Sequence, residues 1–241
     1  MRVLAFGAHP DDVEIQCSGT LAKYKAQGHA VGIAIATRGD VGSPTLSREE
    51  IAAVREKEAR KSAGILGAEF YWLGYDDEFL YDSPDVRRHF IDVIRQFAPD
   101  LILCPDKDYD YHPDHTRTGQ IIWDTRVMAT IPNIPTQHPR VHKGHDIWYY
   151  DTAAGINMVP EFYVDISDYW ETKAKMIACH ESQNVWMMAQ YGQDLTDFGD
   201  LQSRFRGFQA GCRYAEVFRR SRAFPQGTPK GALLPSPANM A

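Results

Sequence analysis

"RVLAFGAHPDDVE", residues 2–14, decides how the rest of the chain is read. After Arg2, residues 3–8 are an apolar run without polar alternation, the pattern of a strand buried on both faces. Gly7 ends the run, and His9, Asp11, Asp12 and Glu14 follow at once. A strand covered on both faces implies a parallel sheet between helix layers. In such sheets ligands sit beyond the carboxyl ends of the strands. The imidazole and carboxylates of residues 9–14 stand at that place.

The following segments repeat the alternation. "EIQCSGTLAKYKAQG" (14–28) has apolar residues at helical spacing up to Gly28, and "AVGIAIAT" (30–37) predicts a second buried strand. After the Gly/Pro-punctuated loop 38–45, Ser47 and Glu50 form a capping box that opens a helix running to Gly67. "EFYWLG" (69–74) predicts a third strand. Ser83 as N-cap and Pro84 at the first helical position open a helix over 83–100. "DLILCP" (100–105) predicts a fourth strand, with "CPDKDYDYHPDHTRTG" (104–119) as the loop behind it. Later, 145–151 and 161–166 read as strands and 167–183 and 198–215 as helices. Residues 216–224 close the sheet. The expected fold class is α/β, a mainly parallel sheet with helices on both faces. One domain spans residues 1–224, and 225–241 form an extended or mobile tail.

Composition narrows the function. The chain has 241 residues, enough for one sizeable core, and a net charge of -6. That balance gives no electrostatic case for nucleic acid or an anionic membrane. The four cysteines are scattered without a CxxC pair, which argues against a zinc–thiolate knot and a disulfide scaffold. The start turns acidic too early for a signal peptide, and no apolar run reaches membrane-spanning length. A cytoplasmic protein is the expectation.

The loop after the first strand lacks the G-x-G-x-x-G that would bring amides against a pyrophosphate, and its carboxylates repel phosphate. Imidazole plus carboxylates suit a divalent cation. His9 and Asp12 lie three residues apart in a turn entering a helix, so both can point at one ion. A catalytic zinc site usually takes three protein ligands. The third comes from another strand end, and 104–119 offers His112 and His115 on the same sheet edge.

"AHPDDVE" (8–14) and "HPDH" (112–115), in this order and separation, resemble the two signature motifs of the LmbE/PIG-L family of zinc-dependent N-acetylglucosamine-type deacetylases. Members include the enzymes that deacetylate mycothiol and bacillithiol precursors. The strand–helix order through residue 119 resembles that family's Rossmann-like fold. Beyond residue 150 the likeness is looser, with "CHESQ" (179–183) its best segment. The resemblance implies zinc held by His9, Asp12 and His115. It implies Asp11 as the general base toward the metal-bound water and His112 as the stabiliser of the oxyanion. Asp114 then orients a catalytic histidine, and Arg55 grips sugar hydroxyls. The implied substrate is a small N-acetylated amino sugar or glycoside, and the implied assembly a homo-oligomer such as a trimer or hexamer.

These roles agree with the chemistry. Zinc lowers the pKa of bound water and polarises an acyl oxygen. A neighbouring carboxylate accepts the water's proton and passes one to the leaving amine, while an imidazole donor meets the developing oxyanion. Plainer readings stand beside them. Asp11 or Asp12 alone could be a helix N-cap, and Glu14 could serve the helix N-terminus. Arg55 has an equal claim to an ion pair with a glutamate of its own helix. His138, His142 and His145 read as a solvated loop, His180 as a packed helix residue, and Trp186 and Tyr191 as core rather than a sugar-stacking wall. Two other functions remain: a sugar-binding protein without turnover on this scaffold, and a metallohydrolase of another bond type. Asp11 beside the ligand pair favours a hydrolase. The acidic loops disfavour phosphoesters.

Overall fold

Successive side chains of β1 (Arg2–Gly7) enter two different cores, which is why its sequence shows no polar alternation. Val3 and Ala5 pack with Leu21, Ala63 and Met176; Leu4 and Phe6 pack with Phe90, Phe97 and Ile121. The computed structural model describes residues 1–223 and 230–233. Within them, β2 (Ala30–Thr37), β3 (Glu69–Tyr75), β4 (Leu101–Cys104) and β5 (Asp146–Tyr150) continue a parallel sheet with β1. β6 (Phe162–Asp165) lies at one edge, and the last strand, β7 (Ala215–Arg220), runs antiparallel between β5 and β6. The order is β3-β2-β1-β4-β5-β7-β6. The sheet is thus mainly parallel with helices on both faces, as expected.

Helices α1 (Asp12–Gln16), α2 (Ser18–Ala26) and α3 (Arg48–Leu66) cover the Val3 face. α4 (Pro84–Phe97) and α5 (Pro113–Met128) cover the other. α6 (Trp170–Ile177) packs against α2 and α3, while α7 (Glu181–Tyr191) contacts α3 and α8 (Leu195–Ala210) contacts β7. The strand order reverses between β1 and β4, because the chain leaves β1 toward β2 on one side and leaves β4 toward β5 on the other. The loops beyond those two strands diverge, and a crevice opens between them.

Local signals act as expected at two helices. The Ser47 and Glu50 side chains exchange hydrogen bonds with each other's backbone amides, and α3 stops at Gly67, whose φ is 56°. The Ser83 hydroxyl accepts the Val86 amide at 3.2 Å ahead of α4. Three elements differ from the sequence reading. The helix expected over 14–28 breaks at Cys17, where φ is -149°. The freed amides of Gly19 and Thr20 donate to the buried Glu216 carboxylate at 2.9 and 2.7 Å, and Lys173 neutralises it at 2.7 Å. The segment read as a loop over 104–119 becomes helical at Pro113, with His112 as N-cap. The helix expected over 167–183 ends at Ile177, and α7 restarts at Glu181.

The four cysteines are free. Part of the expected tail is packed: Ala232 and Leu233 lie against the first core, and the Leu233 amide donates to the Tyr24 hydroxyl at 3.1 Å. Its other residues from Pro225 onward, except 230 and 231, lie outside the described residues. No helix among the described residues is long and apolar enough to cross a membrane.

Candidate active site

The turn leaving β1 separates its two aspartates. Asp11 sits at the N-cap position of α1 with φ 116°, in a region that L-residues seldom occupy, and its side chain caps nothing. That backbone aims the Asp11 carboxylate at Arg55 Nη2, 3.6 Å away. Asp12 instead accepts the His9 amide at 2.8 Å and faces two imidazoles. The second contribution comes from the start of α5, which puts Asp114 and His115 on its first turn. Gly119 makes this possible: a side chain there would strike the backbone of Pro105 and Lys107, just beyond β4.

Three of the residues expected to hold metal converge. His9 Nδ1 lies 3.1 Å from His115 Nε2, and Asp12 oxygens lie 3.2 Å from His115 Nε2 and 3.7 Å from His9 Nδ1. Four ligands about 2.0–2.1 Å from a tetrahedral zinc stand about 3.3 Å apart. The outer nitrogens are held by acids. His9 Nε2 faces Asp77 at 3.0 Å and Asp114 at 3.4 Å, and His115 Nδ1 faces Asp110 at 2.9 Å. A ligating histidine usually has its far nitrogen tied in this way. His9 with His112 and His115, and His9 with Asp77 and Asp114, also come close enough to share an ion. Their extra members are committed elsewhere. The Asp114 carboxylate accepts the amides of Glu78 and Leu80 at 2.7 and 3.4 Å. His112 Nδ1 accepts the Asp114 amide at 3.3 Å, and its Nε2 faces Glu78 Oε1 at 3.3 Å.

The electrostatics suit a cation. Burial opposes charge on His9, yet its bonds to Asp114 and Asp77 push it up to about 9. His115 rises likewise against burial, through Asp12 and Asp110. Burial would raise Asp12, but His115 and His9 hold it well below the usual carboxylate range. Imidazoles kept protonated by surrounding acids mark a negative pocket, which a divalent ion relieves as it displaces the protons. Burial pushes Asp11 up to about 6, with Arg55 opposing.

A cavity of about 510 Å³ opens above this cluster. Its floor includes His9, Asp11, Asp12, His112 and His115, and Arg55 lies in its wall. Arg55 is 3% exposed and makes no ion pair with its own helix. It donates to Pro10 O at 2.6 Å and Gly39 O at 3.1 Å, and its Nε finds no partner among the described residues. Of the two readings of Arg55, the ion pair within α3 is not formed; the side chain instead braces the β1 and β2 loops. Asp114 also differs in detail: its carboxylate serves His9, and His112 receives only its amide.

Other expectations change with packing. Trp186 and Tyr191 border the cavity rather than the core. His145 is buried, not solvated, and burial drives it down to about 3. His138 pairs with Asp92 at 3.0 Å, and His142 is exposed. His180 is packed as expected, at the break before α7, with Nε2 3.4 Å from Glu14. Glu14 itself is buried there and accepts the Ser62 hydroxyl at 2.6 Å. Sequence reasoning passed over Asp77, Glu78 and Asp110. Asp77 and Glu78 follow β3 on the same sheet edge, so the rule that located His9 would have found them.

Known proteins resemble this chain in sequence and in fold. The profile of the PIG-L family, described as GlcNAc-PI de-N-acetylase, matches residues 4–125 and so spans both halves of the cluster. A diacetylchitobiose deacetylase of Thermococcus kodakarensis is 31% identical over 90% of this chain and 82% of its own. A probable N-acetyl-alpha-D-glucosaminyl L-malate deacetylase 2 of Bacillus anthracis is 26% identical over 81% of this chain and 87% of its own. The solved structure of the N,N'-diacetylchitobiose deacetylase from Pyrococcus horikoshii, complexed with an inhibitor, superposes with TM-score 0.80 at 33% identity. It covers 91% of this chain and 83% of that one. With the motifs, the fold and the acid–imidazole cluster all in agreement, this chain belongs to the LmbE/PIG-L family.

Proposed function

We propose that this protein removes the acetyl group from an N-acetylated amino sugar or glycoside of the N-acetylglucosamine type, using zinc held by His9, Asp12 and His115. One observation carries the reading: three donor atoms converge at the spacing of a tetrahedral ion, and a second carboxylate, Asp11, stands beside them, paired with Arg55 rather than with the imidazoles. The activities named for the relatives support the substrate class. Bound there, zinc supplies Lewis acidity, polarising the acyl oxygen and lowering the pKa of water.

The chain's own groups do the rest. Asp11, braced by Arg55, accepts the proton of the attacking water and returns one to the departing nitrogen. Its burial keeps it more basic than an ordinary aspartate. The Asp114 amide occupies His112 Nδ1, so the ring carries its proton on Nε2, beside Glu78 Oε1 at 3.3 Å, and shares it with the acyl oxygen as negative charge develops.

Acetate release should be measured across a panel of N-acetylated sugars, with bound metal quantified. Expected is release that a chelator abolishes and zinc restores, with His115→Ala retaining far less metal. Sugar binding without release would mark a binding protein on this scaffold. Full metal occupancy in His115→Ala would remove the ligand assignment.

A further inference from the structure

Glu78 is a charged residue of the cavity, beside His112 Nε2, to which the mechanism gives no step of its own. Its φ is 67°, in the left-handed region that favours glycine, so a glutamate is held there against a local preference. Two hydrogen bonds fix that backbone. The Glu78 amide donates to Asp114 at 2.7 Å, and the Asp77 amide donates to the buried Asp40 carboxylate at 2.9 Å. The consequence is a carboxylate delivered to the cavity wall, 47% exposed and 3.3 Å from His112. Strain retained at a ligand cavity points to a use for the side chain it positions.

The wall beyond it is uncharged. α7 contributes Gln183, Trp186 and Tyr191, and the loop before α5 adds Tyr111. The side-chain oxygen of Gln183 is buried without a partner among the described residues. Among the described residues lining the cavity, Arg55 is the only arginine or lysine, and its guanidinium is already engaged by Pro10, Gly39 and Asp11. An anionic group entering past the sugar would meet Glu78 and find no free cation. An uncharged ring would find aromatic faces and amide groups.

We propose that Glu78 and this uncharged wall restrict the cavity to glycosides whose second group is an uncharged ring, such as another sugar, and turn away those bearing carboxylates. The inference rests on the proposed deacetylase function and names its substrate class. Discrimination here works partly by repulsion, which a neutral wall alone would not give.

The test compares kcat/KM for N,N'-diacetylchitobiose and the N-acetylglucosaminide of malic acid, with N-acetylglucosamine as reference, using the zinc-loaded protein. Wild type should favour the disaccharide by roughly tenfold or more, the effect of one like charge near a protein surface. Glu78→Gln should shrink that ratio by roughly tenfold, and added salt should shrink it in wild type, since partly exposed charges are screened. Glu78→Gly, which suits the left-handed backbone, repeats the test should the glutamine variant fold poorly. Calorimetric binding of both glycosides reads the same preference without turnover. Equal use of the two glycosides, or a ratio indifferent to salt and to both variants, overturns the inference while leaving the deacetylase reading intact. No acetate from any of the three sinks that reading instead, and the binding preference then decides the charge selection by itself.

Discussion

Two aspartates side by side carry identical chemistry and end in different surroundings. Asp12 faces His9 and His115, and Asp11 faces Arg55. The backbone between them, turned to φ 116° at Asp11, makes the division. Replacing Asp11 by Asn keeps the shape and removes the carboxylate proposed to accept the proton. Asp11→Asn should therefore bind zinc like wild type while kcat falls by about 10²- to 10⁴-fold, the usual worth of a positioned base. Steady-state kinetics with metal analysis of the same sample checks both halves, and near-normal turnover would place the base elsewhere. The residue types at 9, 11, 12, 112 and 115 were readable in the sequence because acids and imidazoles crowded two strand ends. Which aspartate did what came from the family likeness, since no residue type announces a positive φ at Asp11. Arg55 was singled out in the sequence, but its bracing contacts were unreadable for a related reason. Its partners are backbone oxygens of Pro10 and Gly39, and carbonyls leave no mark in a sequence.

The elements were legible wherever their signals were local. Ser47 with Glu50, and Ser83 with Pro84, act within a few residues of the helix ends they define. Pro113 and Asp114 gave the same kind of local notice for α5, and the reading of 104–119 as loop passed over it. The break at Cys17 had no such notice, because the acceptor for the α2 amides is Glu216, 197 residues from Gly19. That carboxylate and Lys173 are almost wholly buried, at 2% and 1% side-chain exposure. Lys173→Met strands the charge while α2 still requires it. We expect a loss of about 3–5 kcal/mol in urea unfolding, the cost of breaking a buried pair from one side. Adding Glu216→Gln should recover part of it, because the amide oxygen still accepts from Gly19 or Thr20. A single variant as stable as wild type would show that the pair contributes nothing.

At the scale of the molecule, stability should depend on a histidine remote from the chemistry. His145 is buried, with neither ring nitrogen partnered among the described residues, and is held down to about 3 by burial and then by Arg126. The unfolded chain protonates it near 6.5. Between those values the unfolded state binds the extra proton, so this stabilising contribution is complete above about pH 6.5 and fades as pH falls toward 3. The slope from one such group reaches about 1.4 kcal/mol per pH unit. Denaturant unfolding at pH 5 and pH 7.5 should show a smaller difference in His145→Leu than in wild type. An unchanged difference would assign the acid sensitivity to other groups. Burial of this ring was hidden in the sequence by its polar neighbours in "VHKGHD".

The place of β7 also sets an order of events at the ribosome. β5 and β6 are synthesised early, but neither is joined to the other until residues 215–220 slide between them. A nascent chain can therefore complete the parallel half, with both halves of the acid–imidazole cluster, while β5 still presents a bare apolar edge to its surroundings. Such edges template pairing with other chains. Translation halted before residue 215 should yield aggregates, captured in the pellet after centrifugation, whereas chains that include residues 215–223 should stay in the supernatant. Equal solubility on either side of that boundary would show that the edge is shielded by something other than its last strand.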